Sequence, residues 1–184
     1  MHNMSVQIAI IKDGKILLQQ REDFETWGLP GGAIEAMETP AEAAVREAHE
    51  ETGLNVEITH LVGLYTKPYW NSTVALFAAT VIDGEFHMDQ KETIDLEFFA
   101  PDKLPNDLVW WSKWEIADAL QGIGGSVACN VDAPLPKEAV SRAELYQNRD
   151  DSGLARPEYF HKMFPEGTTT YEIKGQQINN RGEG

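Results

Sequence analysis

Glu47, Glu50 and Glu51 stand at i, i+3 and i+4 in a segment whose pattern is helical. At about 100° per residue they fall within one arc of the helix, beside the apolar positions Ala41, Ala44, Val45 and Ala48. Like charges at this spacing repel by roughly 0.2–0.5 kcal/mol per adjacent pair. They also crowd the C-terminal turns, where the helix dipole disfavours negative charge. Arg46 is the one cation beside them in the helix, and it cannot neutralise three acids. A solvated acidic face is the plain reading of such a cluster. A bound hard cation, Mg²⁺ or Mn²⁺, is the reading that removes the repulsion. Mg²⁺ is commonly held by a few carboxylates, water and substrate phosphates, so the cluster points to chemistry on a phosphate compound.

The elements that must position these acids are legible on both sides. Thr39 is a suitable N-cap, Pro40 fits the first helical position, Glu42 completes a capping box, and Gly53 stops the helix. Ahead of it, Val6, Ile8 and Ile10 alternate as a strand, Asp13-Gly14 marks a hairpin, and Ile16 to Arg21 reads as the return. Trp27-Gly28-Leu29-Pro30-Gly31-Gly32 is a loop leading toward the helix. After it, residues 56–66, 73–82 and 94–98 read as strands, with Asp83-Gly84 as a turn. Ser112 and Glu115 form a second capping-box pattern, opening a short helix that Gly122 ends, before a flexible loop over 122–125. Residues 136–149 have helical composition with a cap at Ser141, residues 168–174 read as a strand, and 179–184 as disordered.

Composition narrows the function classes. The chain has 184 residues and a formal net charge of −15, a surface that repels nucleic-acid backbone and anionic lipid. No apolar run approaches the ~20 residues of a membrane span, and the N-terminus has no secretory pattern, so a cytoplasmic location is expected. The single cysteine, Cys129, excludes an internal disulfide and a multi-cysteine zinc site.

The spacing extends the acidic cluster into a longer pattern. Gly32 is followed after five residues by Glu38, and after seven more by Arg46-Glu47-Ala48-His49-Glu50-Glu51-Thr52-Gly53-Leu54. This resembles the signature of the Nudix hydrolase family, with a small Ala48 where a bulky aliphatic residue is usual. The segments 17–21, 27–32 and 98–105 resemble the family's flanking segments, so the likeness spans residues 5–121. It implies an α+β or α/β chain with the Nudix fold, a mixed β-sheet sandwiched between helices. The domain is placed at residues 1–125, with 126–184 a C-terminal extension that packs on the core or on a dimer partner.

The resemblance implies a Mg²⁺-dependent (or Mn²⁺-dependent) pyrophosphohydrolase that cleaves a nucleoside diphosphate linked to a group X. ADP-ribose, other nucleotide sugars and nucleoside triphosphates all fit. Carried over by position, Glu47, Glu50, Glu51 and the Gly32 carbonyl are metal ligands, Arg46 orients the glutamates, and Glu38 pairs with Arg46. Glu47 and Glu50 count among the catalytic groups with Arg46, and Gly53 is structural. Glu92 and Asp95 lie where family members often place a further acid, and Glu92 is taken as catalytic. Arg21 and Gly31 are candidates for substrate contact, Arg21 reading equally well as a surface arginine. Tyr65, Tyr69 and Trp70 could form an aromatic substrate wall. A small nucleotide is the expected partner, with no membrane and no long nucleic acid, and the resemblance admits a homodimer. Two other readings stay open: a non-catalytic nucleotide sensor, which would be free to lose its acids, and an isoprenoid-diphosphate isomerase, for which Cys129 lies in the wrong region.

Overall fold

In the computed structural model, the residues described are 3–88, 92–124, 127–132, 141–173 and 176–177. The first strand, β1 (Asn3–Lys12), turns back through Asp13 and Gly14 into β2 (Lys15–Arg21). Both turn residues have positive φ, 52° and 72°, the backbone that Asp-Gly tolerates in a two-residue hairpin. β2 pairs with the two-residue strand β3 (Trp27–Gly28) and, on its other edge, with β6 (Thr93–Phe99). β1 runs parallel to β5 (Ser72–Gly84), which pairs antiparallel with β4 (Leu54–Lys67). The result is a mixed sheet of eight strands among the described residues.

The sheet carries cores on both faces. On one face α1 (Pro40–Thr52) packs over Val6, Ile8, Ile10, Leu17 and Phe77. On the other, α2 (Ser112–Leu120) covers Leu18, Val62, Tyr65 and Leu76. Helix, sheet and helix therefore form the expected layers, and the sheet between them is the rigid support for the loops at its edge.

The capping box of α1 is complete: Thr39 accepts from the Glu42 backbone, and the Glu42 carboxylate accepts from the Thr39 N–H at 2.8 Å. Gly53 ends α1 at φ 75°, and a Cβ there would stand 2.7 Å from the His87 backbone nitrogen. Gly53→Ala is therefore expected to lose at least about 1–2 kcal/mol, the ordinary strain of a left-handed alanine, and more from the collision. Chemical denaturation of the two proteins measures it.

Four expectations need correction. Ala41 and Val45 are exposed, and the buried face of α1 is Ala43, Ala44, Ala48, Glu51 and Thr52. Ser112 is already helical and caps nothing; its hydroxyl donates to the buried Glu115 carboxylate at 3.0 Å, while Trp111 precedes the helix. Asp83 and Gly84 finish β5 against Asn55 and Leu54 instead of turning. Ile123 and Gly124, expected in a flexible loop, form β7 (Ile123–Gly124) against β10 (Gln176–Gln177), and Ile123 is buried.

Beyond residue 126 the chain rejoins the same sheet. β8 (Val127–Asp132) pairs parallel with β4 and antiparallel with β9 (Thr168–Ile173). Between them lie α3 (Arg142–Asp151), with its capping box of Ser141 and Glu144 formed, and α4 (Arg156–Met163). Residues 136–140, Lys174 and the stretch 179–184 lie outside the described residues. Among the described residues, no helix is long and apolar enough to cross a membrane.

Candidate active site

The loop ahead of α1 is held against the exposed edge of β1. Ile8 donates to the Pro30 carbonyl and Val6 to the Gly32 carbonyl, both at 2.9 Å. Gly31 has φ 151°, and a Cβ there would come within 2.7 Å of the Gln7 Cα. Gly32 faces α1, where a Cβ would stand 2.6 Å from the Glu47 Cδ. Gly31 thus lets the loop lie against β1, a contact any side chain would prevent, and Gly32 leaves room for the Glu47 carboxylate beside it.

Arg46 fixes the other half of the site. Its Nε and Nη2 donate to both oxygens of Glu38, at 2.8 and 3.0 Å. Nη2 also donates to the Ala33 carbonyl at 3.0 Å, and Nη1 to Glu47 at 2.9 Å and Glu50 at 3.0 Å. The planar five-donor guanidinium suits this radiating arrangement, which one lysine ammonium could not reproduce.

Glu51 faces inward and is 6% exposed. Its Oε2 accepts from Gln19 Nε2 at 3.0 Å and from the Gly31 N–H at 2.7 Å. Gln19 is oriented in turn by Thr93, whose hydroxyl donates to its Oε1 at 2.8 Å. Burial pushes the Glu51 carboxyl up to about 7, against the two donors that favour its charge. Burial also raises Glu47 above the ordinary glutamate range, against the opposing pull of Arg46. Two acids held out of water beside a third are the arrangement from which a cation gains most.

Glu47, Glu50, Glu51 and Glu92 border one cavity of about 470 Å³, beside Thr93 and His87. A neighbouring cavity of about 550 Å³ shares Glu47, Glu51 and Glu92 and adds Arg21, Gly31 and Gly32. Arg21 Nη2 is paired with Asp23 at 2.9 Å, so its charge at this cavity is partly neutralised. Asp95 borders neither cavity. Of the expected aromatic wall, Tyr65 is fully buried and donates to Asp118 at 2.8 Å, facing the core. Trp70 lines a third cavity, and the Tyr69 side chain lies outside the described residues. The residues that sequence reasoning missed are Gln19 and Thr93, which aim Glu51; Gln19 directly follows the apolar run Ile16–Leu18 on a strand buried on both faces, a signal of a polar side chain with a task.

As placed, no three acids among the described residues converge to cage a cation. The donor set fits one all the same. Arg46 takes one oxygen each of Glu47 and Glu50, Gln19 and Gly31 share one oxygen of Glu51, and among the described residues the second oxygen of each accepts no hydrogen bond. The Gly32 carbonyl is less available, because one of its lone pairs already serves Val6.

The profile of the NUDIX domain matches residues 1–120. The chain therefore belongs to the Nudix family, and it is a Nudix hydrolase. It is 36% identical over 115 residues to a putative 8-oxo-dGTP diphosphatase of Bacillus subtilis, covering 62% of this chain and 77% of that one. It is 40% identical over 111 residues to an ADP-ribose pyrophosphatase of Methanocaldococcus jannaschii, covering 55% and 64%. The crystal structure of an ADP-ribose pyrophosphatase from Streptococcus suis superposes with a TM-score of 0.61 at 27% identity, over 68% of this chain and 98% of that one.

Proposed function

We propose that this chain hydrolyses the diphosphate bridge of a nucleoside diphosphate linked to X, with Mg²⁺ or Mn²⁺ bound by Glu47, Glu50 and Glu51. The observation that carries the reading is the cavity bordered by these three acids and Glu92, with Glu51 aimed by Gln19 and Gly31. A bound divalent cation supplies neutralisation of the diphosphate and a lower pKa for its ligated water.

The chain's own residues do the rest. Arg46 holds Glu47 and Glu50 at fixed positions against the loop. Glu92, which borders the same cavity, accepts the proton of the attacking water. Water attacks one phosphorus, the bond from that phosphorus to the bridging oxygen breaks, and the bridging oxygen leaves on the other phosphate. Arg21 and the Gly31–Gly32 backbone border the cavity from the substrate side. A nucleotide sugar such as ADP-ribose, or a nucleoside triphosphate, is the substrate this arrangement and the named relatives support. The protein acts on small nucleotides in the cytoplasm, as a domain of residues 1–125 with an extension over 126–184.

The test is release of monophosphate or pyrophosphate from ADP-ribose, nucleotide sugars and nucleoside triphosphates, with Mg²⁺ and with EDTA. Turnover of one of them that needs the cation is expected. Absence of turnover on all of them with the cation bound would reject the reading.

A further inference from the structure

The two C-terminal helices border the catalytic cavity and a second, aromatic one. From α3, Arg142 and Tyr146 line the cavity shared with Glu47, Glu51 and Glu92. One residue away on the same helix, Leu145 lines a separate cavity of about 310 Å³. The two cavities share Arg21, Asp23 and Gly31, so they adjoin one another.

The second cavity has the make-up of a site for a flat ring. Phe24, Trp70, Trp111, Phe160 and Phe164 line it. Their rings form a continuous chain, with Phe24 and Phe160 centred 5.3 Å apart, Trp111 and Phe160 6.0 Å, and Trp70 and Trp111 5.2 Å. Gln7 also lines it, and the Gln7 Oε1 is shielded from water with no hydrogen-bond partner. A buried acceptor without a donor is destabilising, a deficit that a ligand N–H would remove. An aromatic lining whose Trp70 and Trp111 stay partly exposed, with one unsatisfied acceptor, fits a heteroaromatic ring that carries an N–H or amino edge.

The extension is tied down where it meets the cavity. Arg149 donates to the Asp23 carbonyl, Arg156 to the Glu22 carbonyl at 2.6 Å, and Tyr146 to the Asp23 carboxylate at 3.3 Å. The 22–25 loop is therefore gripped by α3 and α4, and Phe160 and Phe164 are placed as a fixed wall.

We infer that α3 and α4 complete the substrate site: Phe160 and Phe164 with Phe24, Trp70 and Trp111 enclose the nucleobase, and Gln7 Oε1 accepts a hydrogen bond from its edge. The inference rests on the nucleotide-hydrolase reading above. It makes residues outside the matched family domain determinants of specificity.

Calorimetric titration of the full chain in EDTA with AMP, GMP, CMP, UMP and ribose 5-phosphate tests it. At least one nucleotide is expected to bind tenfold or more tightly than ribose 5-phosphate. Phe160→Leu and Gln7→Leu should each shrink that gap at least threefold and leave ribose 5-phosphate unchanged. Gln7→Leu decides alone if the Phe160 variant does not fold. Equal binding of all five compounds overturns the inference, as does an unchanged gap in a folded variant. The assay uses neither metal nor turnover, so a base-dependent gap in a chain that hydrolyses nothing would refute the hydrolase reading and leave the pocket standing.

Discussion

Glu51→Gln is expected to slow turnover severely and to stabilise the metal-free protein. Glu51 is buried, and burial holds its carboxyl at about 7 in the fold, against the ordinary 4.5 of an exposed glutamate. The folded chain therefore binds more protons than the unfolded chain between these values. Stability contributed by the protonated carboxyl is fully present below pH 4.5 and is lost as pH rises through about 7. At pH 8 the ionised Glu51 costs on the order of 3 kcal/mol. A glutamine keeps an oxygen to accept from Gln19 and Gly31 and has no charge to desolvate. Urea denaturation in EDTA should show the variant more stable at pH 8 and equal to the parent at pH 4. Its kcat should fall roughly 10²-fold or more, since one of the three charges proposed to hold the cation is lost. Equal stability of the two proteins at pH 8 would refute the buried-charge account.

Arg46→Ala is expected to cost on a different axis. It removes three hydrogen bonds that join α1 to Glu38 and to the loop at Ala33, and two within α1 to Glu47 and Glu50. Most of these are partly exposed, so the stability loss should be about 1–2 kcal/mol, or a few degrees in Tm. The larger effect is on the acids. Without the guanidinium, Glu47 and Glu50 repel unopposed and their side chains are free to turn. A loss of roughly 10–100-fold in apparent metal affinity is expected, read as a higher cation concentration at half-maximal rate. Arg46→Lys should recover part of the stability and little of the affinity, because an ammonium has no fork.

Much of this was legible where the determinant is local. The capping boxes at Thr39 and Ser141 and the Asp13-Gly14 hairpin are set by neighbours a few residues apart, and all three formed. The Gly32–Leu54 spacing pointed to the acids that border one cavity, because a helix places i, i+3 and i+4 together without help. What depended on distant partners was not legible. Ser112 looks like a cap, yet the buried Glu115 beneath it takes its hydroxyl. Ala41 and Val45 look like core, yet β1 and β5 meet α1 on the side of Ala44 and Glu51. The inward turn of Glu51 depends on Gln19 and Thr93, 32 and 74 positions apart from their respective partners. The extension carries no pattern that foretells Phe160 against Phe24, since that contact joins residues 136 apart.

The matched family domain ends at residue 120, but the sheet does not. β8 runs along Gly63–Thr66 of β4, and β9 lies outside β8. A chain cut after residue 120 would expose unpaired amides and carbonyls along that stretch, next to Leu64, and would bare Phe24 and Trp70. Such an edge invites pairing with another copy of itself. The extension therefore also guards the sheet against self-assembly, and a shortened protein would be expected to cluster on size-exclusion chromatography before it lost its helices.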